Sequence, residues 1–256
     1  MALKDITKLI QKAEMSSTPD SKFLAELEKT IYIENAKETR EPSKSFKPSS
    51  MGGCSRNIYY QLIGVETGTD FASAQGVGIG QSGTDRHERL QNAIMLMPNC
   101  QWLDIGEHLK NREYLGTSVI EKVGNETKCF NEILNMRFLC DGLVLFHERK
   151  YIIEIKTETS MKFNKRFEPD PKHLLQAACY SICLGVDEVI FLYENRDLCQ
   201  KKAYYVQVTD ELKQKVLDQI HEVMTHVEES TLPPKSTVKR DCTYCLYKAR
   251  CKSDGQ

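Results

Sequence analysis

The chain has 256 residues, of which 40% are hydrophobic and 28% are charged, as in ordinary soluble globular proteins. This length suits one large domain with room for a small appendage. Its net charge of −1 excludes a global field that attracts nucleic acid, so any DNA contact must come from local basic patches.

The first 48 residues are predicted to form a helical extension and a linker. Residues 1–14 space their apolar side chains like a helix and lack the continuous apolar stretch of a secretory signal. A second helix is expected to begin after Thr18 and Pro19. Its apolar face is predicted to comprise Phe23, Leu24, Leu27 and Ile31. A polar, proline-containing linker at 39–50 then places a domain boundary near residue 48.

Residues 49–252 are predicted to form one α/β domain with a mixed central sheet flanked by helices. A glycine-rich loop is expected at 76–83. It matches G-x-G-x-x-G, but no good strand precedes it, so a dinucleotide-binding fold is rejected. A helix is expected from Thr84 to Met97. The β-branched and aromatic content of four segments then predicts strands: 114–123, 128–135, 136–146 and 151–158.

Helices and strands alternate in the second half of this domain. A helix is predicted to follow Pro169 and Pro171 and to end near Leu184, and strands are predicted at 187–195 and 201–208. A long amphipathic helix follows, and its apolar face is marked by Leu212, Val216, Ile220, Val223 and Val227.

The strongest local signal is Asp141 followed by Glu154-Ile155-Lys156. Residues two apart on a strand share a face, and a short turn can bring Asp141 opposite the other two. Their strands are otherwise apolar, so these charges are costly unless they are paired or bound to metal. Two carboxylates suit a hard divalent cation, beside which a lysine can activate water and stabilise charge on phosphorus. The pattern thus favours phosphodiester hydrolysis; the alternative is a surface hairpin whose charges face water.

Two further features accompany this acid–acid–lysine set. His87 lies on the predicted helix before the sheet, where an imidazole can complete a metal shell and favours manganese over magnesium. Gln176 and Tyr180 lie four apart on the later helix and therefore share a face. Each feature alone is more typical of a structural residue.

In order and in predicted elements, these residues resemble the RecB-like branch of the PD-(D/E)XK nucleases. The resemblance implies that His87 and both carboxylates bind Mn²⁺ or Mg²⁺. It also implies that Lys156 is catalytic. Cys140 stands where that family often has proline before the aspartate. The active-site set implied by the resemblance is His87, Asp141, Glu154, Lys156, Gln176 and Tyr180.

Four of the ten cysteines form a second pattern, with one near the start of the domain and three in C-x2-C-x5-C at its end. The sequence from Cys54 to Tyr60 resembles the Cys-Pro-Arg-x-x-Tyr-Tyr element of cluster-bearing RecB-like nucleases, with serine in place of proline. In the AddB nuclease domain and in CRISPR-associated exonucleases, such cysteines ligate a [4Fe–4S] cluster. The resemblance therefore implies a cluster, which we expect to be structural, on Cys54, Cys242, Cys245 and Cys251.

A structural zinc site and four unrelated thiols are the alternatives, although zinc sites usually pair two closely spaced knuckles. The remaining cysteines have apolar neighbours and are expected to be small buried hydrophobes. These are Cys100, Cys129, Cys140, Cys179, Cys183 and Cys199.

Basic residues beside the predicted site suggest a path for DNA. Lys162, Phe163, Lys165 and Arg166 interleave cations with an aromatic ring, which can grip phosphates and stack an unpaired base. A solvated surface loop is the alternative. The path can be extended by Arg56, Lys235, Lys239, Arg240, Lys248 and Arg250.

The preferred function is therefore a metal-dependent DNA exonuclease that prefers single-stranded ends, in recombination, repair or DNA processing. The alternatives are a CRISPR-adaptation nuclease that trims prespacers and a catalytically silent DNA-binding scaffold. A helicase, annealing or integrase partner fits these roles, as does an oligomer. No apolar run approaches the length of a membrane span, and a cytoplasmic location is expected.

Overall fold

The computed structural model describes residues 18–36, 43–66, 74–243 and 245–255. The helix expected within residues 1–14 lies outside these ranges. The α-helices of the described part are α1 (Pro19–Ala36), α2 (Ser55–Leu62), α3 (Ala74–Met95), α4 (Ile105–Leu109), α5 (Ser160–Asn164), α6 (Pro171–Leu184), α7 (Asp210–Glu228), α8 (Lys239–Thr243) and α9 (Lys248–Ser253). Short 3-10 helices span Pro48–Ser50 and Glu113–Leu115.

The strands form two sheets. They are β1 (Cys100–Trp102), β2 (Thr117–Val123), β3 (Glu126–Asn131), β4 (Met136–Cys140), β5 (Gly142–Phe146), β6 (Arg149–Glu158), β7 (Glu188–Asn195) and β8 (Lys201–Gln207). The central sheet has the order β1-β5-β6-β7-β8, with β6 and β7 parallel and the other pairs antiparallel. The second sheet is antiparallel, in the order β2-β3-β4. The prediction of a mixed central sheet flanked by helices is confirmed.

Helices cover both faces of the central sheet. Leu90 and Ile94 of α3 pack on one face, against Ile153 and Ile155 of β6. Helices α6 and α7 belong to the larger core on the other face, which includes Ile152. Strand β6 is therefore buried on both sides, as its apolar sequence predicts.

The single strand predicted at 136–146 is wrong. The chain forms β4 in the small sheet and then β5 in the central sheet, with Asp141 at the break. Strand β5 is largely buried and β4 alternates between buried and exposed residues, but both are rich in apolar side chains, so the apolar run does not show where the chain changes sheets. Gly142 permits the close approach here, because a Cβ atom at this position would collide with the Trp102 ring.

The loop predicted at 76–83 is also wrong, because these residues belong to α3. A Cβ atom added at Gly78, Gly80 or Gly83 would meet nothing within 4 Å, so these glycines do not permit a close backbone approach. Glycine costs about 1 kcal/mol relative to alanine in a helix interior, and this preference is overridden along α3. The composition of a segment was in this case a poor guide to its conformation.

The N-terminal extension is described only in part. Helix α1 begins at Pro19 as predicted, but it buries Ala25 and Tyr32, whereas its expected apolar face is largely exposed at Phe23 and Leu24. Farther along, Phe46 is fully buried and bridges to β4, so the end of the linker packs on the domain. The boundary near residue 48 stays a prediction. Within the described ranges, no helix combines the length and apolarity that a membrane span requires.

Candidate active site

Strand β6 sets two charges side by side in an apolar environment. Glu154 and Lys156 lie two residues apart and share the face covered by α6. The Lys156 Nζ atom is 2.5 Å from Glu154 Oε1. Glu154 is only 1% exposed, and its Oε2 atom has no hydrogen-bond partner. Burying a carboxylate oxygen without a hydrogen-bond partner costs free energy, and a bound cation would offset that cost.

Asp141 is held against these residues from two sides. Its Oδ2 atom accepts a hydrogen bond from the backbone N–H of Ile155 at 2.7 Å. Its carbonyl oxygen accepts from the Nε2 atom of Gln91, a buried residue of α3, at 2.8 Å. The break between β4 and β5 is therefore fixed, and the Asp141 side chain is directed toward β6.

Helix α3 also supplies an imidazole. His87 Nδ1 lies 3.5 Å from Asp141 Oδ1 and 3.4 Å from Glu126 Oε1. One ligand atom from each of these three residues lies within 4.8 Å of the others. Glu154 is outside this trio. Sequence reasoning missed Glu126, which enters from the small sheet and carries no local motif.

The pKa values of Glu154 and His87 show that the carboxylates of the site favour a positive charge between them. Burial and the nearby Asp141 carboxylate raise the pKa of Glu154 to about 8, despite the opposing effect of Lys156. Burial opposes the charged form of His87, but hydrogen bonds to Asp141 and Glu126 outweigh it and raise the pKa of His87 to about 10. In the metal-free protein, the protonated imidazole of His87 thus places a positive charge beside the two carboxylates. In the metal-bound protein, a divalent cation would supply that charge. The oxygen and imidazole donors fit Mn²⁺ or Mg²⁺.

A hydrogen-bonded relay holds the lysine. Lys156 Nζ donates to Gln176 Oε1 at 3.0 Å, and Gln176 Nε2 donates to the Tyr180 hydroxyl at 2.9 Å. That hydroxyl in turn donates to the carbonyl oxygen of Leu139 at 3.2 Å. The structure thus brings Gln176 and Tyr180 to Lys156, and their contacts orient its ammonium group.

Comparison with solved structures identifies the fold. The crystal structure of SSO0001 matches with a TM-score of 0.51 and 16% identity, covering 91% of this chain and 98% of that one. The chain is similar in fold to SSO0001. An alkaline exonuclease from Laribacter hongkongensis matches with a TM-score of 0.38 and 16% identity, covering 79% of this chain and 93% of that one. Its complex with dAMP gives a TM-score of 0.38 at 17% identity, covering 77% and 92%.

At these lower scores, the two exonuclease structures add nothing to the fold assignment. No protein-family model matches the chain, and no curated protein matches it significantly. The geometry of the site therefore carries the functional assignment.

The two ends of the domain meet at the cysteines. A cavity of about 130 Å³ lies between α2 and the C-terminal segment. It is lined by the four cysteines predicted to bind a cluster: Cys54, Cys242, Cys245 and Cys251. Asn57 Nδ2 donates to Cys245 Sγ at 3.2 Å. Among the described residues, no three of these sulfur atoms lie within 4.8 Å of one another.

The other six cysteines only partly follow the prediction. Four are buried, Cys100 is half-buried, and Cys199 is exposed with a positive φ of 55°. The expectation of burial is therefore wrong for Cys199. Cys199 lies in the tight turn between β7 and β8, and its side chain is exposed to solvent there.

Three of the predicted DNA-binding residues, Arg56, Phe163 and Arg166, make internal contacts, and their predicted contacts with DNA stay predictions. Arg56 is 8% exposed, donates to the carbonyl oxygen of Pro233 and faces the cysteine cavity. The Phe163 ring is 3% exposed and packs in the core, so it presents no face to a base. Arg166 donates twice to Glu158, at 2.6 and 2.7 Å.

The exposed cations that remain are lysines. Lys162 and Lys165 of the α5 region are exposed, as are Lys239 and Lys248 of the C-terminal segment. Other predicted contacts have internal partners: Lys235 donates to the Gly255 carbonyl, and Arg250 pairs with Asp254. The side chain of Arg240 lies outside the described residues.

Proposed function

We propose that the chain is a Mn²⁺- or Mg²⁺-dependent deoxyribonuclease that hydrolyses phosphodiester bonds, with a preference for single-stranded ends. One observation carries the proposal. The buried carboxylates of Asp141 and Glu154 lie close enough to interact, Glu154 pairs with Lys156, and one Glu154 oxygen has no hydrogen-bond partner. Most buried polar atoms have a hydrogen-bond partner, so an unpartnered carboxylate oxygen beside an ion pair favours a site that receives a cation.

The residues of the site have two proposed roles: four would be ligands of the cation, and one would act on the substrate. His87, Glu126, Asp141 and Glu154 would hold the divalent ion, with Glu126 added by the structure. When bound, such an ion lowers the pKa of coordinated water and stabilises charge on the phosphate. Lys156 would donate to the scissile phosphate or orient the attacking water, since Gln176 keeps its ammonium at the site.

The relay behind Lys156 supports a catalytic role over a structural one. Three successive hydrogen bonds, ending on the Leu139 carbonyl, fix an ammonium group that is partly exposed. A surface lysine has no need of this support, because water solvates it well. Preorganised donors of this kind are what transition-state stabilisation requires. The same arrangement speaks against a catalytically silent scaffold.

We also propose that the cysteine cavity holds a [4Fe–4S] cluster with a structural role. Four thiols around one cavity form a soft donor set suited to iron–sulfur chemistry. A tetrahedral zinc ion with bonds of about 2.3 Å would hold its sulfur atoms roughly 3.8 Å apart. In the part of the chain that the structure describes, no three of these sulfur atoms approach within 4.8 Å of one another, so the thiols do not form a preassembled zinc tetrahedron. Such a cluster would tie α2 to the C-terminal segment and couple its assembly to folding.

Digestion of end-labelled DNA tests the nuclease proposal. Single- and double-stranded oligonucleotides of one sequence are incubated with the protein in Mn²⁺, in Mg²⁺ and in EDTA. The proposal predicts stepwise shortening of the single strand with either metal and no product in EDTA. Cleavage that persists in EDTA, or its absence with both metals, would contradict it.

A further inference from the structure

The loop between α5 and α6 carries an aromatic ring that the core does not use. Phe167 is 83% exposed, whereas Phe163, four residues earlier, is buried. Scattered exposed hydrophobic residues are normal in soluble proteins and need no explanation by themselves. The surroundings of Phe167 distinguish it from such residues.

The backbone next to this ring is rigidly held. The carbonyl oxygen of Arg166 accepts hydrogen bonds from Lys202 Nζ and from the Tyr204 hydroxyl, both at 2.8 Å. The Arg166 side chain makes a two-bond ion pair with Glu158 and lies over the Tyr193 ring. The phenyl group therefore protrudes from an ordered support, with Lys202 Nζ over the ring at 5.6 Å from its centroid. Binding a ligand to this ring would cost little conformational entropy, because this part of the loop is already held in place.

The ring borders a groove with a cationic wall. A cavity of about 480 Å³ is lined by residues of this loop, among them Met161, Lys162, Lys165 and Phe167. Neither lysine has an ion-pair partner among the described residues. Glu168 also lines the groove and partly offsets this charge. Exposed aromatic rings beside unpaired cations are typical of surfaces that bind single-stranded nucleic acid.

The groove is tied to the catalytic strand through Arg166, which lines the groove and pairs with Glu158 of β6. Glu158, which holds Arg166, lies on β6 two residues beyond Lys156 and faces the same side, about 7 Å along the strand. Tyr193 pairs with Lys156 in the sheet, and its hydroxyl accepts from the backbone N–H of Asp170 at 3.3 Å. A stacked strand advances about 3.4 Å per nucleotide. Glu158, the residue that anchors the groove loop, thus lies about two nucleotide spacings from Lys156 along the strand.

We infer that Phe167 stacks on an unpaired base of the DNA substrate, close to the scissile phosphate, while Lys162 and Lys165 contact the flanking phosphates. This inference rests on the proposed nuclease function and deepens it. A paired base in a duplex has its faces covered by its neighbours, so it cannot offer one to the ring. Phe167 is therefore a determinant of preference for single strands.

Affinity measurements on the full-length protein in EDTA test this inference. A fluorescein-labelled single-stranded oligonucleotide is titrated with wild type, Phe167→Ala, Phe167→Trp and the control Tyr114→Ala, which removes another exposed aromatic ring. Phe167→Ala should weaken binding roughly 5- to 150-fold, the range for loss of one stacked base. Phe167→Trp should restore it, and Tyr114→Ala should bind like wild type. Duplex affinity should not change.

An oligonucleotide series with one abasic site at successive positions locates the contact. Wild type should lose affinity at one position, and Phe167→Ala should be insensitive to that same position. Equal single-strand affinity of wild type and Phe167→Ala, alongside normal metal-dependent cleavage, would overturn the base-stacking inference alone. An effect of Phe167 on binding without any cleavage by wild type would instead overturn the nuclease function.

Discussion

Replacing Glu154 with glutamine should stabilise the metal-free protein while removing its activity. The folded environment raises the pKa of Glu154 from 4.5 to about 8, so the folded chain keeps a proton that the unfolded chain releases. The free energy of unfolding must therefore fall as the pH rises from about 4.5 to 8. Glutamine has nearly the same shape and no charge, so the Glu154→Gln variant escapes this loss.

The size of the effect follows from the two pKa values. At pH 7 the linkage between protonation and folding costs wild type about 3 kcal/mol, and at pH 5 the cost falls to about 1 kcal/mol. Glu154→Gln should exceed wild type in stability by up to these amounts. A difference of about 3 kcal/mol corresponds to a rise of roughly 6–12 °C in the melting temperature of a chain of this size.

Urea unfolding followed by circular dichroism, in EDTA at pH 5 and pH 7, measures the difference. Protein batches of equal iron content are compared, with Glu121→Gln as the control because Glu121 is about half exposed. Added Mn²⁺ should raise the melting temperature of wild type more than that of Glu154→Gln. A stability difference that is absent, or is the same at both pH values, would refute the reasoning about this buried carboxylate.

Three further predictions follow from the same contacts. Glu126→Gln should weaken Mn²⁺ binding about 10-fold or more in isothermal titration calorimetry, because a metal ligand is lost. The control Glu121→Gln should bind Mn²⁺ like wild type. Equal Mn²⁺ affinities of Glu126→Gln and wild type would exclude Glu126 as a ligand. Tyr180→Phe should lower single-turnover cleavage about 5- to 30-fold with little change in substrate affinity, since it removes both hydrogen bonds of the Tyr180 hydroxyl, each worth about 1 kcal/mol. An unchanged rate would show that these hydrogen bonds do not support catalysis. Cys54→Ser, purified anaerobically, should lose iron and sulfide together with thermal stability, whereas Cys199→Ser should keep both; a colourless wild type containing zinc would contradict the cluster.

Sequence patterns located the parts of the site that lie on one continuous piece of chain. Glu154 and Lys156 are two apart on a buried strand, and the hairpin between β5 and β6 returns the chain toward Asp141. Charges within apolar strands are informative because they need partners. The spacing of Gln176 and Tyr180 similarly placed both on the helix face that meets Lys156.

The residues that sequence reasoning missed depend on long-range packing. Glu126 reaches the site only because the small sheet lies beside α3, and no local spacing encodes that contact. The loop after β6 shows the same limitation on a smaller scale. Phe163 and Phe167 each directly follow a basic residue, and only the fold shows which ring faces the core. Helix α3 persists through three glycines, which the composition of this segment does not predict.

The most direct test of the account is the cleavage rate of a Lys156→Ala variant with saturating Mn²⁺. Lys150→Ala is the matched control, because Lys150 is an exposed lysine on the same strand. If Asp141, Glu154 and Lys156 act around one cation, Lys156→Ala should cleave a labelled single strand at least about 100-fold more slowly than wild type, while the control cleaves normally. Cleavage by Lys156→Ala at the wild-type rate would contradict the assignment of this site.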